Sequence, residues 1–204
     1  SETLDKVLAM PAVRDRLWQP RDENNEFDCP YIAGYSTDRK TIFYDRHLPE
    51  TVMLKLDGKT RDIRPREHIR PHETIEPIVM DVLDWSYFPA HALATAYEKR
   101  QFIQRVGPEW WMPYTHAMDG FANSDEHEFV KKVPKDLDMT PYLAPPVNRR
   151  LVEAMKKAMG GAAKEPKALA RYTASGTPGE HCGKVAGWPR GACEHYEAPN
   201  ACEI

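Results

Sequence analysis

Residues 72–76 of the chain read His-Glu-Thr-Ile-Glu. On a helix, positions four apart share a face, so His72 and Glu76 can offer an imidazole nitrogen and a carboxylate oxygen to one ion. Glu73 then stands about a quarter turn away. The arrangement is that of His-Glu-x-x-His, in which the first and fifth residues hold a metal and the second is general base for a water, except that Glu76 occupies the fifth position. Zinc accepts carboxylate oxygen, and the added negative charge makes a water at such a site less acidic. The remaining ligands must come from a neighbouring element. The stretch "AHALATAYEKRQFIQRV" carries His91, Thr95 and Glu98 at spacings of four and three, and alanines at 90, 92, 94 and 96 that allow a second helix to approach closely. His72, Glu76 and His91 then form a three-ligand set with one position open, and Glu98 is either a fourth ligand or the hydrogen-bond partner of an imidazole. A mixed nitrogen and oxygen set suits zinc better than calcium or magnesium. Tyr87, just before this helix, is placed either to pack or to hydrogen-bond a developing oxyanion. His68 lies four residues before His72 and is a further ligand or a surface residue beside Arg66 and Arg70, whereas His47, His116 and His127 fall in segments read as loops, without partner spacing.

A second group lies near the end of the sequence, where Cys182, Cys193 and Cys202 are accompanied by His181 and His195. Three thiolates and an imidazole can close a second zinc site, and the cysteines also faintly resemble the C-terminal cysteine region of high-potential iron-sulfur proteins, in which a fourth cysteine completes the cluster. The bland alternative is a tail of reduced or opportunistically paired thiols. The surroundings, "GGAAKEPKALARYTASGTPGEHCGKVAGWPRG", are too rich in Gly, Pro and small residues to extend a core. We therefore expect a domain over residues 1–160 and a separable tail over 161–204.

The elements that must position these side chains are strands followed by helices. Residues 1–18 carry Leu4, Val7 and Leu8 at helical spacing and read as a packing arm, followed by a polar connector, "WQPRDENNEF". "YIAGYS" and "KTIFYD" flank a turn-like "TDR", and "TVMLKL" meets "TRDI" across Asp57-Gly58, so two β-hairpins are expected. A helix follows from about Arg64 to Leu83, in which Pro71 and Pro77 should produce kinks or breaks. The next begins near Pro89 and stops at Gly107. Residues 108–146 read as loop, with Trp110, Trp111 and Met112 as core or lid, and a last helix is expected over Val147 to Met159. The class is α+β.

The order "TIFYDRHLP", "HETIE" and "AHALATAYE" resembles a group of often phage-associated zincin-like proteins with an H-E-x-x-E helix followed by an A-H-x-x-A-T-x-x-E helix. The likeness spans about residues 31–107. It implies a small zincin-like domain, with an antiparallel-rich sheet, an edge strand above the active-site helix and a metal between two helices, and it marks His72, Glu73, Glu76, His91 and Glu98 by position.

The 204 residues suffice for a real core, and 28 Lys and Arg against 31 Asp and Glu leave no excess charge suited to a polyanion. No nucleic-acid partner is expected. No apolar run reaches the roughly 20 residues of a membrane helix, and residues 1–16 lack a signal-peptide core, so the expected setting is cytoplasmic or a phage particle assembled there. Three functions compete: a zinc metallopeptidase acting on peptide or protein, a non-catalytic metal-stabilised phage structural or interaction module, and an iron-sulfur protein. The oligomeric state is not legible in the sequence.

Overall fold

The computed structural model describes residues 2–122 and 130–160, all within one compact unit, Ser1–Glu165. The tail with Cys182, Cys193 and Cys202, and with it the second-zinc and iron-sulfur readings, lies outside the described residues.

The fold is α+β. Two short helices open the chain, α1 (Glu2–Ala9) and α2 (Pro11–Leu17), in place of one continuous arm. The break falls at Met10, whose extended backbone leads into Pro11, a residue that fits the first turn because no helical hydrogen bond needs its missing N–H. Strand β1 (Asp22–Phe27) then corrects the expectation of a polar connector. It pairs in parallel with β3 (Thr41–Asp45), while β2 (Ala33–Tyr35) pairs antiparallel with β3, giving the order β1-β3-β2. As the central strand, β3 is covered on both faces: Ile42 and Tyr44 enter one core cluster and Phe43 another. This is why "TIFY" is apolar without alternation. The second hairpin, β4 (Val52–Leu56) and β5 (Lys59–Ile63), turns at Asp57 and Gly58, both at positive φ, as a two-residue loop matched to strand twist requires.

Helix α3 (Pro65–Leu83) is continuous through Pro71 and Pro77, so neither of the two expected sites breaks it. Each internal proline costs roughly 3 kcal/mol. Against that, Ile69, Ile75, Ile78 and Val79 are all buried, each worth roughly 1.5–3 kcal/mol of transfer. Tertiary burial outweighs local propensity here. After a three-residue link, α4 (Tyr87–Arg105) packs against α3, with Ala90, Leu93 and Ala94 in the seam. Leu4, Val7 and Val13 complete the same cluster, so α1 and α2 cover the face of this helix pair formed by Ile75, Ile78 and Val79.

The segment read as loop is partly helical. A 3-10 turn at Pro108–Trp110 leads into α5 (Trp111–Ala122), and Trp110, Trp111 and Tyr114 are buried under the sheet cluster, while Met112 is exposed. Helices α6 (Thr140–Leu143) and α7 (Arg149–Ala158) close a third cluster around Cys29, Phe43 and Met155. No helix among the described residues is long and apolar enough to cross a membrane.

Candidate metal centre

The two long helices meet at a cluster of imidazoles and carboxylates. His72 and Glu76 stand one turn apart on α3, and their facing atoms, Nε2 and Oε2, are 3.3 Å apart. Nδ1 of His91, from the start of α4, lies 3.1 Å from His72 Nε2 and 2.7 Å from Glu76 Oε2. Across the same seam, His72 Nδ1 lies 3.0 Å from Glu98 Oε2. Because His72 pairs with the later residue of α4 and Glu76 with the earlier one, the two helices run antiparallel.

His72, Glu76 and His91 form a group that can hold a metal ion. Zinc ligated by nitrogen and oxygen at about 2.0–2.2 Å in a tetrahedron sets its ligand atoms roughly 3.3 Å apart. The observed separations of 3.3, 3.1 and 2.7 Å are at or slightly inside that spacing, so the donor set fits such an ion with small movements. Three atoms that are all lone-pair acceptors when deprotonated also require positive charge between them, supplied by protons or by a cation.

The electrostatics reflect that demand. Burial opposes charge on His72, but its hydrogen bonds to Glu76 and Glu98 prevail and hold its pKa well above the ordinary histidine value. Burial likewise opposes ionisation of Glu76, yet the two imidazoles outweigh it and hold its pKa at about 2. Glu73 is different: burial pushes its pKa up to about 8, with His72 acting against the shift and the charges of Glu76 and Glu98 adding to it. Burial, with the charge of Glu73 adding to it, raises the pKa of Cys29, Tyr35, Tyr44 and Tyr142. A divalent cation at the cluster would favour the ionised carboxylate.

Each residue singled out in the sequence has a definite place. Glu98 does not join the three converging atoms; it bonds the rear nitrogen of His72. Tyr87 hydroxyl is 3.3 Å from His91 Nδ1, at the edge of the cluster. Thr95 is turned away from it, donating to the carbonyl of His91 at 3.0 Å. His68 is neither a ligand nor a surface residue: it is buried against the rings of Phe102 and Tyr114. His47 approaches Asp45 at 3.1 Å, His116 is exposed on α5, and His127 lies outside the described residues.

Two tyrosines complete the cluster, and no spacing in the sequence pointed to them. Tyr35, from β2, donates to Glu76 Oε1 at 2.9 Å, and Tyr114, from α5, donates to Glu98 Oε1 at 3.2 Å. Burial and the adjoining carboxylate raise the pKa of each phenol well above the ordinary value, so both remain donors.

Compared with protein-family models, with curated proteins and with solved structures, the chain matches none.

Proposed function

We propose that the chain is a zinc-dependent hydrolase, with a peptide or protein as its substrate. The observation that carries this reading is the convergence of three ligand atoms, two on buried side chains and the third on the partly exposed His91. His72 and Glu76 side chains are 9% and 3% exposed, whereas that of His91 is 31% exposed. A structural metal favours a closed set of four protein ligands, and a catalytic one keeps a position accessible.

Bound at this site, zinc would supply Lewis acidity toward a carbonyl and toward a water. The chain's own residues supply the rest. Glu73, adjacent to His72 in the sequence, would be the proton acceptor, its carboxyl ionised when a cation is bound, and would later return the proton to the leaving amine. Tyr87, beside His91 at the accessible edge, donates its hydroxyl to the oxygen that gains charge. Glu98 directs His72, and Tyr35 directs Glu76.

The test is a peptide-library cleavage assay on the zinc-loaded chain, on a chelator-treated sample, and on the chelated sample with zinc restored. Cleavage that disappears with the chelator and returns with zinc supports the proposal. Absence of cleavage by chain shown to carry zinc overturns it in favour of a metal-stabilised structural module.

A further inference from the structure

We propose that Tyr35 is a positioning residue that keeps Glu76 a one-oxygen ligand, and thereby keeps a coordination position free for substrate or water. The inference rests on the metal reading above. Glu76 Oε2 faces His72 and His91, while Oε1 accepts a hydrogen bond from Tyr35 at 2.9 Å. A carboxylate that turned to grip a cation with both oxygens would have to give up that bond. The phenol it abandoned is buried, its other partner among the described residues being the sulfur of Met80, 3.6 Å away, and an unmatched buried donor is costly.

Tyr35 is itself firmly held. It pairs with Ile42 in the β2–β3 ladder, its carbonyl accepts from the amide of Asp138 at 2.8 Å, and the guanidinium of Arg39 lies over its ring at 5.0 Å. Its hydroxyl therefore cannot easily follow a rotating carboxylate. With Glu76 restricted to one oxygen, the three donor atoms and a water would make the ion four-coordinate and leave room for a substrate oxygen; with two oxygens bound, the same water would make it five-coordinate and the place for that substrate oxygen would be taken. The same restriction disfavours calcium, which takes six to eight oxygens and often a two-oxygen carboxylate.

Cobalt(II) reports the difference, because its visible bands are intense when it is four-coordinate and weak at higher coordination. The full chain and its Tyr35→Phe variant are titrated with cobalt(II), with Tyr114→Phe as a control that removes the same kind of bond from Glu98. We expect intense bands in the parent and in Tyr114→Phe, weak bands in Tyr35→Phe, and zinc affinity about 10–100-fold lower in Tyr35→Phe. Uptake with unchanged bands in Tyr35→Phe overturns this inference alone. Absence of uptake by the parent chain overturns the metal reading and this inference with it. An independent measurement needs no variant: X-ray absorption of the zinc-loaded parent chain should show a single carboxylate oxygen at about 2.0–2.2 Å, and a two-oxygen carboxylate would refute the proposal.

Discussion

Replacing Glu98 by Gln tests whether the rear of His72 governs what its front can bind. An ionised carboxylate only accepts, so Glu98 Oε2, 3.0 Å away, requires the proton of neutral His72 on Nδ1 and leaves the lone pair of Nε2 directed at Glu76 and His91. Gln has the same shape, but its amide nitrogen can donate to Nδ1 while its oxygen keeps the bond from Tyr114. The imidazole then carries its proton on Nε2, and the ligand is lost. Such outer partners of a ligating histidine are worth about 10–100-fold in metal affinity, or about 1.4–2.7 kcal/mol. With zinc at about 100 times the parent dissociation constant, binding stabilises the parent fold by about 2.7 kcal/mol; for the variant this falls to about 0.4–1.4 kcal/mol. For a domain of this size each kcal/mol moves the melting temperature by about 2–4 °C. Zinc should therefore raise Tm by about 5–11 °C in the parent and by about 1–6 °C in Glu98→Gln. Calorimetry with and without zinc, with affinity measured by chelator competition, decides the matter. A folded variant with the parent's zinc affinity and Tm gain would refute the argument that Glu98 orients the ligand.

The other expectations follow from the same geometry. Alanine at His72 or at His91 should abolish the single equivalent of bound zinc and with it the zinc-dependent rise in Tm; unchanged metal content in both variants removes these residues from the ligand set. Glu73→Gln should retain zinc while lowering peptide turnover by about 10²–10⁴-fold, and turnover at the parent rate excludes Glu73 as the base. His68 is held below the ordinary histidine pKa chiefly by burial, with the charge of Arg105 adding to it, so the unfolded chain takes up this proton first and stability is lost as pH falls below about 6.5. In metal-free protein, His68→Leu should flatten the fall in urea midpoint between about pH 7 and 5, and parallel profiles for parent and variant would show that His68 is not responsible.

How much of this could be read from the residues depended on whether the signal was local. The His72–Glu76 spacing and the Ala-rich stretch carrying His91 and Glu98 are short-range patterns, and the structure brings all four side chains to one seam. Asp57-Gly58 marked its hairpin because few other pairs accept positive φ twice in succession. β1 escaped because an edge strand with mostly exposed side chains can be as polar as "DENNEF" and still pair through its backbone. Residues 108–146 read as loop, yet Pro108 and Pro113 fall in the first turns of the 3-10 turn and of α5, where a missing N–H costs little. Tyr35 and Tyr114 could not be found at all, since they reach the carboxylates only after the sheet and α5 have packed against α3 and α4.

The two prolines of α3 connect these observations. Pro71 immediately precedes His72 and Pro77 immediately follows Glu76, so the ligand-bearing turn is bounded by residues that donate no helical hydrogen bond. The carbonyls of Glu67 and Glu73, four residues before each proline, accordingly lose the N–H donor that the usual i+4 helical bond would supply. A ladder interrupted at both ends of the turn cannot by itself hold two side chains to the few tenths of an ångström that metal ligation requires. That rigidity must come from outside the helix. Ile75, Ile78 and Val79 anchor one side against α1, α2 and α4, while Glu98 and Tyr35 fix the other side through His72 and Glu76. The tertiary hydrogen bonds thus carry a positioning task that an unbroken helix would otherwise share, so loss of Glu98 or Tyr35 should disturb the site as well as loss of a ligand itself.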